Sequence, residues 1–298
     1  MMKTRSGFIA IVGRPNVGKS TLLNQLIGEK VAITSDKPQT TRHRISGIYT
    51  KDDTQIVFVD TPGMHKAKDL LNKRMDRTAV QTLRDVDGVI FMVDRMRGAS
   101  ETHIIKYFES IHVPVFLVIN KIDALKNKSE IDEIIMSYLN VYDFKAYIPI
   151  SAKEQTHIPK LLEEIDKILV EGPFYYPIDA KSDQSQETMM AELIREKILY
   201  HTEEEVPHAV FVQIESLKYN KKLKTLDATA IIIVERTTQK LILIGKNGEK
   251  IKKIGMEARK DINRTLDLKV HLELWVKVKK DWRNKESDLK LFGLGDDV

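Results

Sequence analysis

The stretch FIAIVGRPNVGKSTLLNQLIG, residues 8–28, decides the fold of the first part of the chain. An apolar, β-branched run at 8–12 stops at Gly13, and GRPNVGKS at 13–20 matches G-x-x-x-x-G-K-S. An amphipathic segment at 19–28 follows at once. A glycine loop between a strand and a helix is a cradle for phosphate: its backbone N–H groups close around anionic oxygens. In this pattern Lys19 reaches the outer phosphates and the Ser20 hydroxyl ligates Mg²⁺.

Moving outward, short apolar runs at 8–12, 55–60, 88–94, 114–120 and 146–151 read as strands buried on both faces. Segments 19–28, 69–84, 100–110, 129–139 and 158–170 between them read as helices. That alternation predicts a doubly wound, mostly parallel sheet of six strands, with its ligand at the strands' carboxyl ends. Polar motifs fall at those ends: DTPG at 60–63, NKID at 120–123 and SAK at 151–153. Asp60 is placed to hold Mg²⁺ through water, and the Gly63 N–H to sense a γ-phosphate. Asp123 can accept from N1–H and the 2-amino group of guanine, a pair that adenine lacks. Asn120 and Lys121 would support the base and the loop, and backbone N–H groups of 151–153 would meet the guanine O6. Four motifs in order at four strand ends predict a guanine-nucleotide domain that uses GTP/GDP and Mg²⁺.

The set resembles the translation-factor-like GTPases, in the branch that holds Era, Der and MnmE. The resemblance implies a nucleotide site of Gly13, Arg14, Pro15, Asn16, Val17, Gly18, Lys19, Ser20 and Thr21, with Asp60, Thr61, Pro62, Gly63 and Met64. Asn120, Lys121, Ile122, Asp123, Ser151, Ala152 and Lys153 complete it. It also implies that SDKPQTTRHR at 35–44 is the first switch, with Thr41 closing on Mg²⁺; Thr40 is the rival, and the choice stays open. Lys19, Thr41, Gly63 and Asn16 are the residues expected to carry catalysis. One departure matters: Met64 stands where Ras-like enzymes place a water-orienting glutamine. The resemblance supplies an alternative, a potassium ion held by Asn16 and stabilising charge on the β–γ bridge, with slow turnover. His65 next to Met64 is more often solvated than a base, and no His-x₃-His pair offers a metal site.

A second glycine loop, GKNG at 245–248, follows the strand-like run LILI at 241–244 and opens a helix. It lacks both phosphate-loop spacings and fits the shorter G-x-x-G of K-homology loops. The neighbouring order, a helix from 188, strands near 208–218 and 225–235, the loop, a helix, and a strand at 269–280, reads α-β-β-α-β. That is a smaller α+β domain of type II K-homology form. Charge agrees: residues 240–283 hold thirteen Lys and Arg against six Asp and Glu, leaving −2 for the rest of a chain of net charge +5. A +7 segment suits a polyanion. Single-stranded RNA would lie against Ile244, Gly245, Lys246, Asn247 and Gly248, with Lys250 and Lys253 on its phosphates.

The domains are read as 1–172 for the GTPase, 173–187 for a linker carrying Pro173 and Pro177, and 188–298 for the K-homology domain with a short helical tail. One GTPase domain followed by a K-homology domain resembles the Era family along essentially the whole chain. That resemblance implies a GTP-hydrolysing switch that binds the 3′ end of small-subunit (16S) ribosomal RNA and the 30S precursor, and assists 30S assembly. It implies a monomer in the cytoplasm that can touch the inner face of the cell membrane. The alternative is a GTPase whose basic domain serves membrane attachment. A plain nucleotide-hydrolysing enzyme with a structural appendage is the third reading. The chain has no cysteine, which excludes disulfides and zinc–thiolate sites.

Overall fold

The computed structural model describes residues 3–37, 40–64, 69–222 and 224–294. They form two compact units, the first made of the described residues within 3–32, 41–64 and 72–183, the second of those within 33–37, 40, 69–71, 184–222 and 224–294.

In the first unit, β1 (Arg5–Gly13) leads through the phosphate-loop segment to α1 (Lys19–Ile27). The hairpin β2 (Ile45–Lys51) and β3 (Thr54–Asp60) follows, then α2 (Leu70–Thr82), which belongs to this unit from Asn72 onward, and β4 (Gly88–Val93). After these come α3 (Ala99–Phe108), β5 (Val115–Ile119), α4 (Ser129–Tyr138), β6 (Ala146–Pro149), α5 (Ile158–Asp166) and the two-residue β7 (Val170–Glu171). The sheet runs β2-β3-β1-β4-β5-β6, with β7 added to the start of β1. Among the described strands of this sheet, the β2–β3 and β1–β7 pairs are antiparallel and the others parallel. Strands β3, β4 and β5 are buried along their whole length, as continuous apolar runs demand when helices cover both faces. Leu22 and Leu23 of α1 and Leu161 and Ile165 of α5 join the core on one face. Ala79 of α2, Ile104 of α3 and Ile134 of α4 join the core on the other.

Strand β2 is absent from the sequence reading because Gly47 interrupts its pattern. The structure explains the glycine: a Cβ there would lie 2.6 Å from Leu23 and 2.9 Å from Ile27, so α1 packs down onto bare backbone. The stretch that follows β7 lies along this unit. Gln55 accepts from the Tyr175 and Tyr176 N–H groups at 2.8 and 3.0 Å and donates to the Tyr176 carbonyl at 3.0 Å.

In the second unit, α6 (Gln186–His201) starts on Ser185, whose hydroxyl accepts from the Thr188 N–H at 3.1 Å. The chain continues through α7 (Val206–Ala209), β8 (Phe211–Asn220), β9 (Thr225–Val234), α8 (Thr237–Ile244), α9 (Glu249–Leu266), β10 (Val270–Val278) and α10 (Glu286–Leu291). The sheet order is β10-β9-β8, with β9 antiparallel to β8 and parallel to β10. That arrangement is the α+β K-homology form of type II.

The strand-like run at 241–244 is instead the last turn of α8. The Gln239 side chain caps α8 by accepting from the Glu235 and Arg236 N–H groups, and Leu241 and Ile242 are left exposed. Residues 33–37 and Thr40 sit in this unit as well: the Thr34 N–H donates to Glu196 at 3.0 Å, and Ile33 is buried with Met190 and Ile194 of α6. The buried Arg195 donates to the Glu192 carboxylate at 2.6 and 2.9 Å and to the Thr40 carbonyl.

Candidate functional site

The phosphate loop takes its shape from positions that tolerate no side chain. Gly13 has φ 154°, and a Cβ there would lie 2.5 Å from the Met92 carbonyl oxygen. Gly18 has φ 104°, and its Cβ would lie 2.3 Å from the Asn120 amide nitrogen. Asn16 adopts φ 64°, the left-handed region that Asn enters at little cost. Lys19 is buried, its ammonium donating to the Gly13 and Arg14 carbonyls at 3.3 and 3.2 Å.

Three side chains meet beside it. Ser20 donates to Asp60 Oδ2 at 2.6 Å, Thr41 donates to the same oxygen at 3.2 Å, and the two hydroxyls are 2.9 Å apart. Asp60 Oδ1 is buried and has no hydrogen-bond partner among the described residues. Burial pushes the Asp60 carboxyl above its usual range, even against the neighbouring Lys19, and burial pushes the Lys19 ammonium down. An oxygen-only set with an orphaned carboxylate oxygen fits a hard divalent cation. Thr40 turns elsewhere, donating to the Lys37 carbonyl at 2.6 Å.

The segment after β3 lies against the loop. The Met64 N–H donates to the Gly13 carbonyl at 3.3 Å, and a Cβ on Gly63 would lie 2.8 Å from the Pro15 nitrogen. Thr61 donates to the Ile11 carbonyl at 2.9 Å. The Met64 side chain is 2% exposed and belongs to the core under α2 and α3. Its position therefore faces the core, and His65 lies outside the described residues.

The base-side motifs converge on the same loop. Asn120 donates to the Val17 carbonyl at 2.8 Å and accepts from the Ala152 N–H at 2.9 Å, joining 13–20, 120–123 and 151–153 through one amide. Lys121 donates to the Asn16 carbonyl at 2.7 Å. Ser151 donates to Asp123 at 2.5 Å, and Asp123 itself is exposed, able to accept from a base. Lys153 pairs with Glu154 at 3.3 Å on the surface. The Arg14 side chain turns from the loop to Asp94 and Glu101. Those two acids were not singled out in the sequence. The one available signal was that GVIFMVD at 88–94 ends on a charge at a strand's carboxyl end.

In the second unit, Gly245 (φ 73°) ends α8 and Gly248 (φ 79°) precedes α9, with Lys246 and Asn247 exposed between them. Beside the loop, α9 and β10 frame an open groove lined by Ile251, Lys252, Gly255, Met256, Arg259, Leu272 and Leu274. Its floor is apolar, and Lys252 and Arg259 stand on its rim; the expected Lys250 and Lys253 belong to the same helix, outside that lining, with Lys253 exposed. Gly255 has no side chain to hold β10 off: a Cβ there would come within 3.2 Å of Leu274. Periodicity could flag Lys252 and Arg259 as one face of α9. Leu272 and Leu274 join them only through tertiary packing.

Known proteins share this arrangement. Residues 8–121 match the 50S ribosome-binding GTPase family, and residues 205–283 match the KH domain family. GTPase Era of Clostridioides difficile (strain 630) is 46% identical over 294 residues, covering 98% of this chain and 99% of that protein. The chain belongs to the GTPase Era family. A crystal structure of Era in complex with MgGDPNP and nucleotides 1506–1542 of 16S ribosomal RNA has a TM-score of 0.95 at 37% identity, covering 98% of this chain and 99% of that one. A second, of a point variant of Aquifex aeolicus Era bound to GDP·AlF4⁻, has a TM-score of 0.93 at 38% identity, over 98% of this chain and all of that one. Among the described residues of this Era-family GTPase, no helix is long and apolar enough to cross a membrane.

Proposed function

We propose that this chain is a GTP-timed RNA-binding switch that engages the 3′ end of small-subunit ribosomal RNA during 30S assembly. The observation that carries the nucleotide half is the meeting of Ser20, Thr41 and the orphaned Asp60 oxygen beside Lys19. Ser20 and Thr41 would hold Mg²⁺ directly, and Asp60 would hold it through water. When bound, Mg²⁺ would supply positive charge against the phosphate oxygens during phosphoryl transfer. Lys19 would turn from the Gly13 and Arg14 carbonyls to the phosphate oxygens, and backbone N–H groups of 13–20 would surround them. Asp123 would select guanine, with Asn120 and Ala152 fixing its loop.

Met64 contributes no group to the attacking water. Asn16 would then hold a monovalent cation, K⁺ by preference, that supplies positive charge at the β–γ bridge. A preference for K⁺ over Na⁺ in turnover supports this reading, and equal rates in both discard it.

The RNA half is supported by the cationic, apolar-floored groove beside the G-x-x-G turn, which suits stacked bases with phosphates along Lys246, Lys252 and Arg259. The same basic face also suits anionic lipid, making peripheral attachment to the cytoplasmic membrane the competing reading. The deciding experiment is binding of a single-stranded RNA from the 16S 3′ end against a shuffled control. It runs across salt concentrations, with GDP and with a non-hydrolysable GTP analogue, for wild type and a Lys246→Asp/Asn247→Asp variant. Sequence-selective binding lost in the variant supports the switch. Equal, salt-erased binding to both RNAs favours a sticky basic face and lipid.

A further inference from the structure

Strand β4 lies between β1 and β5, so its carboxyl end stands between the phosphate loop and the guanine loop. The residue at that end is Asp94, whose carboxylate is 7% exposed and fully occupied. Oδ1 accepts from Arg14 Nη2 at 2.9 Å and from Arg95 Nε at 3.1 Å, and Oδ2 accepts from Lys121 Nζ at 2.8 Å. Lys121 also donates to the Asn16 carbonyl, at the turn where the backbone enters the left-handed region. Arg14 is gripped on its other side by Glu101, a carboxylate 4% exposed that also accepts from the Gly98 N–H at 3.0 Å and so caps α3. Two buried acids on two elements thus hold one cation from each nucleotide loop.

We infer that Asp94 is a positioning residue that fixes the spacing between the phosphate-binding and guanine-reading loops. Its own oxygens are taken up by Arg14, Arg95 and Lys121. Without its charge, the partly exposed Lys121 is free to turn to solvent, and the loop at 120–123 loses its tie to Asn16. Arg14 keeps only Glu101. The nucleotide then loses a contribution that exists only when base and phosphates are bound together. A ligand spanning both loops suffers, whereas one that fills a single loop does not. The loss is read most directly as faster release of a ligand that spans both loops, since affinity differences between related complexes lie mostly in the dissociation rate.

The inference rests on the guanine-nucleotide reading, and the test separates the two. The full-length protein is loaded with fluorescent GDP, and its release is timed in wild type, Asp94→Asn, Lys121→Met and the double variant. Guanosine and Mg²⁺-pyrophosphate are then measured as competitors. Failure of wild type to bind fluorescent GDP would defeat the nucleotide reading itself. Given binding, Asp94→Asn is expected to speed GDP release about tenfold or more. It should shift guanosine and pyrophosphate affinities by less than about twofold, and add less than about twofold to Lys121→Met. Unchanged release, an equal loss for all three ligands, or full additivity with Lys121→Met would overturn it. If Asp94→Asn does not fold, Lys121→Met carries the test, because it removes the same Asp94–Lys121–Asn16 tie from the other end. It should speed GDP release about tenfold while shifting pyrophosphate affinity by less than about twofold, and unchanged release would overturn the inference.

Discussion

Met64→Gln is the substitution that would place a Ras-like glutamine after the DxxG glycine, and the structure predicts that it fails in that role. The side chain at 64 is 2% exposed and lies in the core with Val12, Phe91 and Ile104. Glutamine is close to methionine in volume, so packing changes little. The cost lies in an amide oxygen and nitrogen moved from water to a site walled by aliphatic and aromatic groups. Protein-scale values put that at about 1–3 kcal/mol. With about 2–4 °C per kcal/mol for a unit of this size, the melting temperature should fall by roughly 2–12 °C. Phosphate release should not accelerate, because an amide held in the core cannot orient a water at the γ-phosphate. Thermal melts of the nucleotide-free protein and a phosphate-release assay in K⁺ measure both quantities. A variant that melts like wild type and hydrolyses GTP about tenfold faster, some 1.4 kcal/mol off the barrier, would refute the reasoning. It would mean that the position turns outward when GTP is bound.

Other substitutions probe the remaining geometry. Gly63→Ala brings a Cβ to 2.8 Å from the Pro15 nitrogen, so loop and switch must separate; turnover should fall about a hundredfold in phosphate-release kinetics, with GDP affinity less affected. Gly245→Ala meets Lys250 Cβ at 2.7 Å, whereas Gly248→Ala meets nothing within 4 Å and carries only backbone strain of about 1–2 kcal/mol. RNA-binding titrations should therefore rank the loss Gly245→Ala above Gly248→Ala, and the reverse order would count against the groove's placement. Arg195→Met withdraws the cation from the buried Glu192 and should cost about 3–5 kcal/mol in urea unfolding; adding Glu192→Leu should recover most of it. A double variant no more stable than Arg195→Met alone would show that the pair is not the reason.

Several features of this protein were legible in its sequence because they are properties of neighbouring residues. The phosphate loop needs glycines where φ is positive, and those must stand at fixed spacing between a strand and a helix. Strands covered on both faces must be apolar throughout, so β3, β4 and β5 announce themselves. The GKNG turn is equally local, and so is the charge excess of 240–283.

Tertiary structure alone decided the rest, because each remaining feature joins residues distant in the chain. Thr40 and Thr41 are indistinguishable as adjacent threonines; their hydroxyls diverge only because Ser20 and Asp60 wait for one and the Lys37 carbonyl for the other. The apolar run at 241–244 is the last turn of a helix begun by the Gln239 side chain on the Glu235 and Arg236 N–H groups, and no pattern within LILI carries that fact. The groove needs Leu272 and Leu274 brought beside Gly255. Asp94 closes the case: in sequence it is one acid at a strand's end, and only the order β1-β4-β5 places it between two nucleotide loops, where a single carboxylate can hold a cation from each.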